Sequence, residues 1–260
     1  METIVITYKS IIRSLFTYAS PVWFPNSSPS SIQKLQTIQI SALRIATGCV
    51  KMCPTDHLHA ETHVLPVKDH LSLLCSQFLA KSLQPSHPSF VTVTSPSGPR
   101  KMKETLQSRF LPAVSPYLVD GALPSASYGV TIKSLHTEAV ASAIASRDDS
   151  RVLGSRPPEV SLEERLLPRP YRTTMSQLRS GFCSSLNSYL ERIGRAPDPL
   201  CPHCGGGNQT TNHLFACTSY PTSLTVSDLW ERPGLVSRFL SSLPVFNLPD
   251  LPRPPPEPPP

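Results

Sequence analysis

The amino-acid sequence predicts a mostly α-helical protein: a small helical bundle, a poorly structured Pro/Ser-rich middle, and a helix leading into a small Cys/His metal site. Three observations carry this. Apolar residues recur at three- and four-residue steps in several segments, the spacing of one helix face. Thirty of the 260 residues are proline, against about 13 at an average usage of 5%, so much of the chain is turn, linker or tail. Three cysteines and a histidine near the end follow the order C-x2-C-x8-H-x3-C.

In residues 1–20, Ile4, Tyr8, Ile11, Leu15 and Tyr18 favour a helix. A strand competes, because β-branched residues are frequent there. Pro21 ends the segment, and PVWFPNSSPSS reads as a loop that folds Trp23 and Phe24 back onto a helix. Residues 31–47 give a clean helical pattern, with Ile32, Leu35, Ile38, Ala42, Ile45 and Ala46 on one face. Gln33, Lys34, Gln36, Gln39 and Arg44 form the polar face, and Gly48 suits the C-cap. A short helix starts near Thr55 or Asp56, and Pro66 opens another as its first residue. That helix buries Val67, His70, Leu71, Leu74, Phe78 and Leu79, and Pro85 closes it.

Residues 1–85 therefore form a helical region, and residues 86–164 a linker with short helices, partly disordered. The helical patterns in that linker lie near Met102 to Phe110 and Leu135 to Ala145. Residues 165–243 hold a basic amphipathic helix, the metal module and short helices around Pro233. In residues 171–193, Met175, Leu178, Phe182, Leu186, Tyr189 and Ile193 run down one side. Gly181 costs about 1 kcal/mol there without having to break the helix, and Gly194 caps it. Residues 244–260 are a proline-rich disordered tail with polyproline II geometry.

Cys201 and Cys204 can grip one ion from a tight turn, and Gly205, Gly206 and Gly207 let the chain reverse. His213 and Cys217 are four apart, so one helical turn puts them on the same face. Three sulfurs and one nitrogen make a closed structural zinc shell with no open position for water. Leu214 and Phe215 can cover it, and His203, inside the turn, is the weaker rival of His213. Cys49 and Cys53 stand near His57 and His59, but inert buried thiols are the simpler reading of that group.

The formal net charge is +6 with only 16% charged residues. That permits a polyanionic partner without demanding one. Arg165, Arg169, Arg172, Arg179, Arg192 and Arg195 precede the metal site as candidate phosphate contacts, with Tyr171 and Tyr189 as bases' stacking platforms. Lys101, Lys103 and Arg109 make a second, weaker patch. Asp56, His57, His59, Glu61, His63, Asp69 and His70 crowd one region. They lack the spacing of a metalloprotease helix, a paired-aspartate site or a nucleophile elbow, so no catalytic residue is expected. Seven cysteines, an odd number, fit a disulfide scaffold poorly. Without a secretory signal or an apolar run of about 18 residues, the expected location is cytoplasm or nucleus, with no membrane partner.

YKSIIRSLFTYASPVWFPNSSPSSIQKLQTIQISALRIATG, followed by DHLHAETHVLPVKDHLSLLCSQFLAKSLQPSHP, resembles the segment after the polymerase palm in jockey-like non-LTR retrotransposon reverse transcriptases. The stretch from LLPRPYRTTMSQLRSGFC through LCPHCGGGNQTTNHLFAC to DLWERP resembles the cysteine-rich C-terminal region of the same polyproteins. The resemblance implies a thumb-like role for residues 1–85 and zinc at Cys201, Cys204, His213 and Cys217. It implies element RNA or target DNA as partner, with no small-molecule substrate. The family's polymerase uses two magnesium ions on palm aspartates. This chain has no YADD-like box, and its one adjacent aspartate pair, Asp148 and Asp149, lies in a polar SRDDSR stretch. It is therefore expected to be non-catalytic on its own, as a remnant or a truncated gene model. The alternatives are a zinc-stapled structural or protein-interaction remnant, and an accessory part completed by a palm-bearing polymerase chain.

Overall fold

The computed structural model describes residues 1–94, 105–145 and 160–249. The tail beyond Pro249, the Asp148–Asp149 pair, Lys101 and Lys103 lie outside the described residues. The fold is mostly α, as expected. Among the described residues, extended pairing is confined to two isolated bridges, Val119 with Ala122 and Leu200 with Asn208. Contacts divide the chain into two compact units along lines other than 1–85, 86–164 and 165–243. An N-terminal unit comprises Thr3–Ala42 and His63–Arg147, and a C-terminal unit comprises Met1–Glu2, Leu43–Thr62 and Asp148–Pro260.

In the N-terminal unit, helix prevails over strand at the start. Glu2–Thr7 and Ser14–Thr17 are α-helical and flank a π-helical stretch, Tyr8–Arg13. The run stops at Ala19, whose φ of 49° is left-handed. Pro21 opens the short helix Ser20–Trp23, and a 3-10 turn, Phe24–Asn26, follows. The expected loop is thus helical, because proline is pre-set for a first helical turn. Phe24 is buried and stacks on Phe110 with centroids 6.1 Å apart.

The Pro29–Thr47 helix forms, but its buried face is rotated from the expected one. Ile38 and Ile45 are exposed, whereas Gln39 is fully buried. The Gln39 amide explains this: its Oε1 accepts from the Tyr8 hydroxyl at 2.5 Å and its Nε2 donates to the Leu65 carbonyl at 2.9 Å. A buried amide with both ends satisfied costs little. Gln36 Oε1 likewise accepts from the Val67 backbone N–H at 2.8 Å, fixing the start of the Val67–Ser82 helix, which Pro66 caps rather than opens. Val67, Leu71 and Leu79 are buried as expected, while Phe78 is exposed and Leu73 and Cys75 take part in the core.

The largest departure is the middle of the chain. Leu106–Val114 and Tyr128–Ala145 both pack on Val67–Ser82. Phe110, Val114, Leu123 and Leu135 join Leu71 and Leu79 in one core. Residues 105–145 are thus structure rather than linker. Thr105 and Ser108 form a reciprocal cap that starts the first of these helices.

The C-terminal unit has its own core of Met175, Leu178, Leu186, Leu214, Leu229, Trp230, Val236 and Leu240. Residues 171–193 are not one helix. Arg169–Ser180 ends at Gly181 (φ 75°), and Asn187–Arg192 begins after a turn. Glycine enters the left-handed region without a Cβ penalty, and Gly181 stops the helix there. Around Pro233, where one or two short helices were expected, there are two, Asp228–Glu231 and Pro233–Ser242.

Candidate metal centre

The metal loop is built by backbone hydrogen bonds. Cys201 N–H donates to Gly207 O at 2.8 Å and Gly205 N–H donates to Cys201 O at 2.9 Å. Gly205 takes a φ of 61°, which closes the turn between the first two cysteines. The Thr211–Ala216 helix then starts on Thr210, whose hydroxyl accepts from His213 N–H at 3.2 Å. Cys217 follows its last residue. Leu214 and Phe215 point the other way, into the core with Leu178 and Trp230. The Thr211 hydroxyl donates to Leu178 O at 2.9 Å and anchors the turn.

The result is a cluster in which ligand atoms of Cys201, Cys204, His213 and Cys217 all lie within 4.8 Å of one another. Cys201 Sγ is 3.9 Å from Cys217 Sγ, and Cys204 Sγ is 3.2 Å from His213 Nε2. This group can hold a metal ion. His203 lies outside the cluster, edge-on to Tyr220 with centroids 4.8 Å apart, so His213 is the histidine of the cluster. Burial pushes the Cys201 thiol up, but the backbone N–H groups of Cys204 and His203, with His213 and Cys204, outweigh it and bring it down to about 7. A thiol so placed gives up its proton to a metal readily.

No family model, curated protein or solved structure matches the chain.

The arginines expected to contact phosphate divide sharply. Arg179 does not belong among them. It is 2% exposed, its Nη1 donates to Glu61 Oε1 at 2.6 Å, and its Nη2 donates to Glu164 Oε2 at 2.5 Å. The Leu229 carbonyl and the Trp230 ring 4.8 Å away complete its surroundings. Burial lowers its pKa, but the two carboxylates outweigh that and raise it. Tyr171 is likewise buried, its hydroxyl donating to Pro249 O at 2.5 Å, so it cannot stack on a base. Arg165 is exposed and pairs with Glu2 at 2.6 Å, Arg169 donates to Ile45 O at 3.0 Å, and Arg172 is half-buried. Arg192 and Arg195 are exposed on the approach to Cys201. Arg192 lies over Phe182, 5.2 Å from the ring centroid. The Asn187–Arg192 helix is tied to the metal loop: Asn187 N–H donates to Gln209 Oε1 at 2.8 Å and its Nδ2 donates to Leu200 O at 2.9 Å. Sequence reading missed these ties, for which an Asn at the helix start is the only signal. In the second patch, Arg109 donates to Pro25 O at 3.0 Å and lies over Phe24.

Of the acid- and histidine-rich region, His57, His59 and Glu61 are buried. Burial, then Arg13, Lys9 and His136, push His70 down to about 3. Among the described residues, no helix is long and apolar enough to cross a membrane.

Proposed function

We propose that this chain is a non-catalytic, zinc-organised nucleic-acid-binding protein, related to the C-terminal part of jockey-like non-LTR reverse transcriptases, that takes single-stranded RNA or DNA. Zinc suits the donors. A tetrahedral shell with Zn–S near 2.3 Å and Zn–N near 2.0 Å needs S···S of about 3.8 Å and S···N of about 3.5 Å. The four ligand atoms here span comparable separations, 3.9 Å for one sulfur pair and 3.2 Å for one sulfur–nitrogen pair. The observation that carries the reading is the hydrogen-bonded link between this loop and the helix bearing Arg192. Through Asn187, metal binding sets the position of the exposed Arg192 and Arg195.

The test is a titration of zinc-loaded full-length protein with labelled single-stranded RNA and DNA at two salt concentrations. Binding should be micromolar and weaken with salt, and Cys201→Ser with Cys204→Ser should abolish it. No binding by folded, zinc-loaded protein refutes the proposal.

One observation favours a second reading, an accessory part completed by a palm-bearing chain. Ile6, Ile11, Leu15, Tyr18 and Val22 are all exposed on the first helical segments. Exposed apolar side chains mark interaction sites where they form a patch. RNA-directed DNA synthesis that appears only when a palm-bearing chain is added supports this reading, and binding that needs no such chain supports the first.

A further inference from the structure

We infer that Cys49, Cys53 and His57 form a second zinc site, buried in the C-terminal unit. Sulfur and imidazole are the donors zinc prefers. The residues recur at fixed intervals, C-x3-C-x3-H, and local structure turns all three inward. Gly48, with a φ of 72°, ends the Pro29–Thr47 helix and aims Cys49 at the interior. Cys53 N–H donates to Val50 O at 3.0 Å and closes a turn. The Thr55–Thr62 helix then begins, so His57 stands in its first turn.

Their relative exposures are 7%, 2% and 1%. One ligand atom from each lies within 4.8 Å of the other two. A tetrahedral shell needs about 3.5–3.8 Å between donors, so closing on an ion takes a contraction of at most about 1 Å. The supporting groups suit a metal as well. His57 Nε2 lies 4.0 Å from Glu61 Oε2, beyond hydrogen-bond reach, so a small shift of the ring would give it the carboxylate partner that ligating histidines usually have. Glu61 is itself held by Arg179 at 2.6 Å. Ser176 Oγ lies 3.3 Å from Cys49 Sγ. On binding, each thiol releases one proton and the imidazole binds as the neutral ring.

This site does not depend on the nucleic-acid reading. The first measurement is zinc per chain, by mass spectrometry of metal content, in unmodified full-length protein purified with zinc. Two equivalents are expected. Cys49→Ser with Cys53→Ser should retain one, and Cys201→Ser with Cys204→Ser should retain one. Cobalt substitution of the latter variant should give a thiolate-to-cobalt charge-transfer band, and adding Cys49→Ser should weaken that band. One equivalent in the unmodified protein, lost only with Cys201 and Cys204, overturns the second site and leaves the first standing. One equivalent lost only with Cys49 and Cys53 overturns the first instead. A Cys49–Cys53 disulfide in the intact-mass spectrum overturns the second site, and so does a cobalt spectrum unchanged by Cys49→Ser.

Discussion

Replacing Arg179 with leucine leaves Glu61 and Glu164 buried without their counter-charge. Both carboxylate side chains are 2% exposed, and each accepts from the guanidinium at 2.5–2.6 Å. Removing one partner from a buried ion pair costs about 3–5 kcal/mol, because the remaining charge stays desolvated. For a unit of this size, 1 kcal/mol moves the melting temperature by roughly 3–4 °C. The substitution should therefore lower the melting of the C-terminal unit by about 10–20 °C. The assay is thermal unfolding followed by circular dichroism at neutral pH, with Arg165→Ala as the reference. Arg165 meets Glu2 at a similar distance, but the side chains are 46% and 48% exposed. Such surface pairs contribute about 0–1 kcal/mol, so this variant should melt almost as the parent does. Adding Glu61→Gln and Glu164→Gln to Arg179→Leu should recover part of the loss. If Arg179→Leu costs less than about 1 kcal/mol, the triad is solvated in solution and Arg179 returns to the candidates for phosphate contact.

Arg192→Ala with Arg195→Ala should weaken single-strand binding while leaving the melting temperature unchanged. Loss of two phosphate contacts should flatten the salt slope by about 1.4, read from binding isotherms at several salt concentrations. His70 stays neutral in the folded protein down to about 3, whereas the unfolded chain takes up a proton near pH 6.5. Its contribution is thus complete above pH 6.5 and is lost as pH falls from there toward 3, by about 1.4 kcal/mol per unit. Urea unfolding from pH 7 to 4 should show that slope, and His70→Gln should reduce it. Gly48→Ala should destabilise the C-terminal unit by about 1–3 kcal/mol. The added Cβ would sit 2.5 Å from Thr173 Cγ2 at a left-handed φ of 72°, and chemical unfolding would measure the cost.

Local features were the legible ones. The spacing of Cys201, Cys204, His213 and Cys217 is set within one short loop and helix, so the sequence shows it directly. The helices read at 31–47 and from Pro66 to Pro85 followed from apolar periodicity, with Gly48 as a stop signal, although the buried face of the first is rotated from the expected one. Features that depend on distant partners were not legible. Gln39 looks like a surface residue until Tyr8 and the Leu65 carbonyl are beside it. Arg179 looks like a solvated helix arginine because Glu61 is 118 residues away. The middle of the chain read as linker because its periodicity is weak, Pro, Gly and Ser recur through it, and Pro112 lies inside a helix. Phe110, Val114 and Leu135 become core only against the Val67–Ser82 helix. At Gly181 the propensity cost was known, but the turn that uses its left-handed backbone was not.

The C-terminal unit is assembled from separated stretches of chain, and this orders events on the ribosome. Residues 43–62 emerge early, yet Arg179 is synthesised 118 residues after Glu61. At about 5–20 residues per second, that delay is roughly 6–24 s. During it the nascent stretch carries Glu61, Cys49 and Cys53 without the segment that will enclose them. A holding chaperone or an early-bound metal ion would have its longest opportunity in this interval, and slowing translation between residues 62 and 179 would lengthen it.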